Sequence, residues 1–382
     1  MASQISDTIQ PSDGLLGEAP IVDAKAWLVD VPVRSVRHDA VQTFAKQETI
    51  FVEIRAAGGA TGLGYSYTIG TGGHAVLSLV SETLLPALVG CDIRRPEAIW
   101  ATLSSRTRAT MVGPITSLAL AAVDTAVWDL RCKLMDLPLW VAAGGAQDRV
   151  PLYDTEGGWA HFDTDELVER AVASKNASWA GVKIKVGSRT ARDDFDRLAS
   201  VRQAVGDQLP IMVDANQCFS LPEAIERVRG YEQLDIAWFE EPLPADDVGA
   251  YQRLSMATTV PIAVGESLYS LTQFKEYLQK GAASIVQVDV ARIGGITPWL
   301  KVAHLAEAYN VPVAPHFLME LHVSLASAVP NATFVEHIPQ LSTITTEEMA
   351  IEDGCAIAPN SPGLGIQWDM DAIQKLRRDT GR

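Results

Sequence analysis

Two kinds of hydrophobic pattern divide the chain near residue 150. Before that point, alternating runs such as IVDAKAWLVDVPV and ETIFVEIRAAGGATGLGYSY predict strands of a small sheet, and SLALAAVDTAVWDLRCKLM has helical spacing. After it, short apolar runs alternate with helical patterns. The eight runs are VPLYD, GVKIKVG, PIMVDAN, IAWFEEP, PIAVGES, SIVQVDV, VPVAPH and TFVEHI. Eight strands with helical crossovers predict an α/β protein built on a parallel barrel.

The same patterns predict how the chain is divided into segments. We expect a flexible lead-in over residues 1–20, a small α+β domain over 21–148 and the barrel over 149–345. The alternation of strands and helices stops after Ile338. We therefore expect residues 346–382 to return and pack on the first domain.

Composition and charge exclude some classes of function. The 382 residues are 47% apolar and 20% charged, which is usual for a globular protein. A net charge of −16 argues against general affinity for nucleic acid or anionic membranes, although a local positive pocket can still bind a small anion. The chain has no signal-peptide pattern and no run of transmembrane length. We expect a cytoplasmic protein whose four cysteines, which lack CxxC spacing, stay reduced.

Ionisable residues stand at the ends of seven successive predicted strands. Catalytic groups of a parallel barrel lie at the C-terminal ends of its strands, so these residues are candidates for one site. A single strand-end carboxylate is usually a helix cap or a loop hydrogen-bond partner, but ionisable groups at seven strand ends, spaced by one strand–helix unit, do not fit that interpretation. In chain order they are Lys183 with Lys185, Asp214, Glu240, Glu266, Asp289, His316 and Glu336.

Three of these residues, Asp214, Glu240 and Glu266, predict a metal site. They come from adjacent strands, so their carboxylates converge and repel one another unless a cation lies between them. Three carboxylates suit one Mg²⁺ ion, whereas a structural zinc site would contain His or Cys. The alternative is a cluster of salt bridges with Lys183 and Lys185, which stand one residue apart and share a face of their strand.

The combined motifs resemble a known family. KxK, D-x-N, FEEP, GES, D-x-x-R-x-GG and a following His resemble the enolase superfamily, and its mandelate racemase subgroup, from about residue 20 to the end. The resemblance implies a modified (β/α)₇β TIM-type barrel under an α+β capping domain formed by the N-terminal region and the C-terminal segment. It also implies Mg²⁺-dependent abstraction of the proton alpha to a carboxylate through an enediolate, and a homo-oligomer, for which an octamer is one candidate.

The resemblance assigns catalytic roles to five residues. Lys185 matches the family's base, and we expect Lys183 to lower its proton affinity by repulsion and to steady the substrate carboxylate. His316 with Asp289 resembles the subgroup's His-Asp dyad, whereas lactonizing enzymes of the superfamily carry a lysine where Asp289 stands. Glu336 matches a glutamic acid that donates a hydrogen bond to the substrate carboxylate. Its alternative is a surface charge at a strand end.

Other residues are candidates for substrate binding. Asn216 should share the face of Asp214 and bond the substrate's α-hydroxyl. The loop VPVRSVRHDA brings Arg34, Arg37 and His38 to the position of the family's lid, where positive charge suits a polyhydroxy acid or diacid. The alternative is a solvated basic loop. The loop YDTEGGWAHFD adds four further candidates, among which the sequence does not choose: Tyr153, Thr155, Trp159 and His161.

The residues permit three functions. A racemase or epimerase would exchange protons at both Lys185 and His316, and a dehydratase would use one as the base and the other to protonate a departing hydroxyl. A carboxylate-binding protein would keep the site without turnover. Most characterised members with this constellation are similar to acid-sugar dehydratases. We therefore expect a lyase that converts an aldonate or aldarate, a small carboxylate, to a 2-keto-3-deoxy acid.

Overall fold

The computed structural model describes residues 19–41 and 43–378, without the side chains of Arg34, Ser35 and Ala45. Most of the predicted lead-in therefore lies outside the described residues. Within the described ranges, no helix is both long and apolar enough to cross a membrane.

The first part of the chain forms an antiparallel sheet packed on helices. Its long strands are Ile21–His38, Thr43–Ala56 and Thr61–Thr68, each paired with the next. Glycines let helix Pro114–Leu134 approach the third strand closely, because a Cβ at Gly64 would lie 2.0 Å from Ala126 N. The helices of this part are Gly73–Leu79, Val80–Leu84 (π), Leu85–Leu88, Pro96–Arg106, Arg108–Thr110 (3₁₀), Pro114–Leu134 and Leu139–Ala142.

The second part alternates parallel strands with helices, and seven of the eight predicted runs form strands, whereas VPVAPH makes isolated bridges at Val313. The strands are Arg149–Asp154, Gly181–Lys185, Ile211–Asp214, Trp238–Glu240, Ile262–Val264, Ile285–Val286 and Val335–His337. The first six pair in chain order, and the last pairs with the first. The helices are Thr164–Asn176, Ala191–Val205, Leu221–Gln233, Val248–Ser255, Leu271–Gln279, Ile296–Ala308 and Met319–Ala328.

Local sequence explains where three of these helices begin. Asp163 with Glu166 forms a capping box, in which each side chain accepts from the other residue's backbone N–H. The same device begins the next helix, at Thr190, and at Ser220 the Glu223 side chain accepts from the Ser220 backbone N–H. Because each box satisfies N–H groups that the helix leaves unpaired, the helix starts are encoded locally.

The end of the chain contacts both parts. Arg377–Arg378 pairs with strand Ile21–His38 and follows helix Met370–Leu376. Cys355–Ile357 pairs with Ile351–Glu352 and, antiparallel, with Arg149–Asp154 of the parallel sheet. The segment boundaries expected from the sequence, including the one at residue 346, therefore stay predictions.

Hydrogen bonds hold the first part over the loop and the helix that follow the sixth parallel strand. Trp100 Nε1 donates to Gly294 O at 2.9 Å, and Trp128 Nε1 donates to Thr297 Oγ1 at 2.9 Å. Tyr67 donates to Asp289 Oδ2 at 2.8 Å. The antiparallel sheet thus reaches one of the residues predicted to be catalytic.

Candidate active site

The predicted residues at the strand ends lie together. Lys185, Asp214 and Glu240 are the last residues of adjacent strands, and the register pairs Lys185 with Asp214 and Asp214 with Glu240. Glu266 stands two residues beyond the next strand. All four side chains are buried. Strand register is therefore what converts distant sequence positions into one cluster.

Three carboxylates form the centre of this cluster. Asp214, Glu240 and Glu266 each offer an oxygen within 4.8 Å of the others. Burial raises the pKa of Glu240 to about 7, and the charge of Asp214 adds to the rise. A set of buried oxygen ligands without His or Cys fits a hard divalent cation such as Mg²⁺. We refer to these three residues as the carboxylate cluster.

Each carboxylate of the cluster also has a cationic neighbour. Lys185 Nζ lies 2.5 Å from Asp214 Oδ2, and Lys183 Nζ lies 2.8 Å from Glu240 Oε1. His316 Nε2 lies 2.9 Å from Glu266 Oε2. Both possibilities raised by the sequence, a metal site and a salt-bridge cluster, thus use the same carboxylates.

The two lysines share a buried face, as their alternation predicted. Lys183 is 1% exposed and lies 2.8 Å from Glu336 Oε1 as well as from Glu240. Lys185 Nζ also donates to Asn216 Oδ1 at 3.0 Å. The expected repulsion from Lys183 is present, but it does not decide the net pKa of Lys185 in this arrangement. Burial and Lys183 lower its pKa, but Asp214 and other carboxylates raise it above its ordinary value.

His316 and Asp289 form the expected dyad. His316 Nδ1 lies 2.9 Å from Asp289 Oδ2, the oxygen that also accepts from Tyr67. Asp289 Oδ1 accepts from two backbone N–H groups. Burial lowers the pKa of His316, but Glu266 and Asp289 outweigh it and raise the pKa to about 10. The ring is therefore an imidazolium at neutral pH.

Glu336 differs from the expected hydrogen-bond donor. It is 1% exposed, so it is not a surface charge. Its oxygens accept from Thr155 Oγ1 at 2.7 Å and from Phe317 N at 2.8 Å. Burial raises its pKa, but Lys183 and His316 lower it to about 2. In this arrangement Glu336 is an ionised acceptor.

The structure describes the side chains of two of the three lid candidates, Arg37 and His38. Arg37 is 2% exposed, pairs with Glu156 at 2.8 Å and donates to Pro339 O at 2.8 Å, so it is not a solvated surface charge. The side chain of Arg34 lies outside the described residues. His38 packs edge-on against His161, with 4.8 Å between the ring centres. It does not line the narrow cavity, described below, that lies between this loop and the strand ends.

Two candidates of the loop YDTEGGWAHFD, Tyr153 and Trp159, lie in different places. Tyr153 is fully buried, packs on Trp238 and Phe334, and does not line the cavity, so the structure gives no support to a role for it in substrate binding. Trp159 does line the cavity, with Lys185 Nζ 5.4 Å from its ring centre.

A narrow cavity of about 30 Å³ lies between the lid and the strand ends. Lys185, His316, Asn216 and Arg37 are in its wall. Arg292 is there too; it stands in the D-x-x-R-x-GG motif, but the sequence reading gave it no role. Its Nη1 donates to Glu266 O at 2.9 Å. A larger cavity, of about 500 Å³, lies at Glu320 and the C-terminal segment and contains none of the candidate residues.

Family models match most of the chain. Residues 22–144 match the mandelate racemase / muconate lactonizing enzyme N-terminal domain, and residues 164–372 match the enolase C-terminal domain-like family. The chain belongs to the mandelate racemase / muconate lactonizing enzyme family. The resemblance read from the motifs is confirmed.

Members of the mandelate racemase / muconate lactonizing enzyme family with known activities are similar over nearly the whole chain. L-talarate/galactarate dehydratase of Salmonella typhimurium is 35% identical over 85% of this chain and 81% of its own. 3,6-Anhydro-alpha-L-galactonate cycloisomerase of Streptomyces coelicolor is 35% identical over 89% and 93%. The crystal structure of the Salmonella dehydratase liganded with Mg and L-lyxarohydroxamate has a TM-score of 0.91 and 31% identity, covering 99% and 98% of the two chains.

Proposed function

We propose that this protein is a Mg²⁺-dependent acid-sugar dehydratase, a lyase that converts an aldonate or aldarate to a 2-keto-3-deoxy acid. One observation carries the proposal. Lys185 and the His316–Asp289 dyad reach the same cavity beside a cluster of three buried carboxylates. An acid–base pair of this kind can remove an α-proton and expel a β-hydroxyl. The similarity to a talarate/galactarate dehydratase supports this choice of substrate.

The carboxylate cluster would hold one Mg²⁺ per active site. When bound, the ion supplies electrostatic stabilisation of the negative charge that develops on the substrate carboxylate. The fit rests on the donor set of this chain, which is three buried carboxylates within 4.8 Å of one another. Lys183, buried between Glu240 and Glu336, balances part of their charge.

Lys185 is the proposed base for the α-proton. Asp214 raises its pKa in this structure and Lys183 lowers it. When Asp214 binds the cation, its charge no longer raises the pKa of Lys185, whereas the repulsion from Lys183 remains. The resulting lower pKa favours the neutral amine that a base requires. Asn216, which accepts from Lys185, keeps its amide N–H₂ group to donate to the substrate's α-hydroxyl.

His316 is the proposed acid. Asp289 holds its Nδ1, and Nε2, which bonds Glu266 in this structure, would be left for the substrate once Glu266 binds the ion. Loss of the α-proton to Lys185 leaves an electron pair that forms a C=C bond as the β-hydroxyl departs with the His316 proton as water. The resulting enol becomes the 2-keto acid. Asp289, which bonds Nδ1 and raises the pKa of His316, supports the charged ring that this donation requires.

A racemase or epimerase is the second candidate. Two proton-transfer groups in one cavity also suit exchange at both faces of the α-carbon, and the Streptomyces relative is a cycloisomerase. The two functions differ in product, because dehydration yields a keto acid and epimerisation does not.

We also propose that the parallel strands close into the modified (β/α)₇β barrel. Isolated parallel bridges from Val286 to Val313 and from Val313 to Ala332 support this, because they continue the pairing towards strand Val335–His337. A homo-oligomer, with an octamer as one candidate, is a further proposal, and light scattering of the purified protein tests it. We also propose a cytoplasmic location.

A substrate panel tests the proposed function. Mono- and diacid sugars are incubated with the protein and Mg²⁺, and 2-keto acid is measured as its semicarbazone. We expect keto acid from at least one aldonate or aldarate and none after EDTA. Epimerised substrate without keto acid would support the racemase instead, and no conversion of any panel member would favour a binding protein.

A further inference from the structure

Three polar side chains join the loops that follow three neighbouring strands. They are Gln217, Glu241 and Ser267, and each stands one to three residues beyond a different member of the carboxylate cluster. Glu241 is fully buried and does not line the cavity. We call these three residues the loop network.

Hydrogen bonds connect every pair within the loop network. Glu241 Oε1 accepts from Ser267 N at 3.1 Å, and Glu241 Oε2 accepts from Ser267 Oγ at 2.9 Å and from Gln217 Nε2 at 2.8 Å. Gln217 Nε2 also donates to Ser267 Oγ, and Gln217 Oε1 accepts from Ala245 N, both at 2.8 Å. Glu241 accepts from both Gln217 and Ser267, so it is the central acceptor of the loop network.

The backbone beside the carboxylate cluster requires such support. Asn216, Gln217 and Glu241 have φ values of 43°, 64° and 31°, in the left-handed region that residues other than glycine seldom adopt. Such conformations persist when surrounding contacts fix them. Gln217 N also donates to Glu241 O at 2.6 Å, which joins the first two loops directly.

We propose that Glu241 is a positioning residue for the divalent cation. Through Gln217 and Ser267 it fixes the ends of three strands, and so the separations within the carboxylate cluster. This inference rests on the proposed function, because it requires a cation at that cluster. Loss of an outer hydrogen-bond partner at a metal site typically weakens metal affinity about 10- to 100-fold.

Single amide–carboxylate changes should disrupt the loop network. Glu241→Gln leaves one acceptor oxygen and directs an N–H₂ group either at Gln217 Nε2 or at Ser267 N. Gln217→Glu places a second carboxylate against Glu241, which loses Gln217 Nε2 as its donor. The second change adds negative charge near the cation, so charge alone predicts tighter binding, whereas the loop network predicts weaker binding.

The double change restores the pattern. With Gln217→Glu and Glu241→Gln together, the amide at 241 donates to the carboxylate at 217, which also accepts from Ala245 N. The amide oxygen at 241 still accepts from Ser267 N. Each donor again faces an acceptor, and the double variant has as many carboxyl groups as the unaltered protein.

A Mn²⁺ titration of the full chain tests the inference, with the free ion measured by its electron paramagnetic resonance signal. We expect each single variant to raise the Kd by about tenfold or more and the double variant to lie within about threefold of the unaltered protein. The exposed control Glu276→Gln should leave the Kd unchanged. Thermal unfolding without metal is measured on every variant.

Two results would overturn this inference without contradicting the proposed function. One is an unchanged Kd in both single variants, including the case in which only their thermal stability falls, since that describes a purely structural role. The other is tighter binding by Gln217→Glu, which would mean that charge controls affinity. Failure of the unaltered protein to bind Mn²⁺ or Mg²⁺ would instead contradict the proposed function on which the inference depends.

Discussion

The charge on His316 should make the stability of the metal-free protein depend on pH. Its pKa is raised from 6.5 to about 10 because burial is outweighed by Glu266 and Asp289. A group whose pKa is raised by folding contributes stability that is complete below its unfolded pKa, here about 6.5, and is lost as the pH rises through its folded pKa. The window is therefore from about pH 6.5 to about pH 10.

The size of the effect follows from proton linkage. Within the window, the folded protein binds about one more proton at His316 than the unfolded chain. The free energy of unfolding should therefore fall by about 1.4 kcal/mol per pH unit, or about 3 kcal/mol from about pH 7 to about pH 9.5. Cysteine thiols titrate in the same range, but they do so equally in a variant that lacks only the imidazole.

Urea unfolding of EDTA-treated protein across this range measures the slope. We expect His316→Asn to lose about 1.4 kcal/mol per pH unit of the slope, and the exposed control His304→Asn to retain it. Saturating Mg²⁺ should also reduce the slope in the unaltered protein, because the cation occupies Glu266. Equal slopes in the unaltered protein and in His316→Asn would refute the charged dyad.

Three further predictions concern the bases, the lid and the loop that carries Trp159. Lys185→Ala should abolish both dehydration and exchange of the α-proton with deuterated solvent, whereas His316→Asn should retain exchange on substrates whose α-proton faces Lys185. Both reactions are followed by ¹H NMR, and unimpaired dehydration by His316→Asn would contradict the acid role of His316. Arg37→Ala should lower kcat/KM for the best acid sugar by at least about tenfold and affect a short 2-hydroxy acid less, since buried contacts to charge are worth about 2–5 kcal/mol; equal small losses would leave Arg37 a structural residue. Gly158→Ala should lower the Tm and activity, because its Cβ would lie 1.8 Å from Lys183 O; an unchanged melting curve would contradict this packing.

The carboxylate cluster could be predicted from the sequence because its residues end or follow strands that recur at the regular interval of one strand–helix unit. Asp214 and Glu240 end adjacent strands and Glu266 follows the next, so the predicted convergence needed only the order of the strands. The His316–Asp289 pair was available from the same reasoning together with the family motifs. Each of these positions depends on local pattern and on one rule of barrel topology.

Charge states and loop side chains were harder to predict. The pKa of Glu336 depends on Lys183 and His316, which come from distant positions in the chain. The pKa of Lys185 depends on the balance between Asp214 and Lys183, which the sequence order does not reveal. Tyr153 lies in strand Arg149–Asp154 and Trp159 in the loop that follows it, and tertiary packing places the first in the core and the second at the cavity.

The most direct test of the central claim is a ¹H NMR time course in deuterated water with the best acid sugar of the panel, with Mg²⁺ or with EDTA. With Mg²⁺, the α-proton signal should disappear as signals of a 2-keto-3-deoxy acid grow, and Glu240→Gln should show neither change. With EDTA the spectrum should stay constant. Conversion at the same rate in EDTA, or loss of substrate without a keto acid, would contradict Mg²⁺-dependent dehydration at the carboxylate cluster.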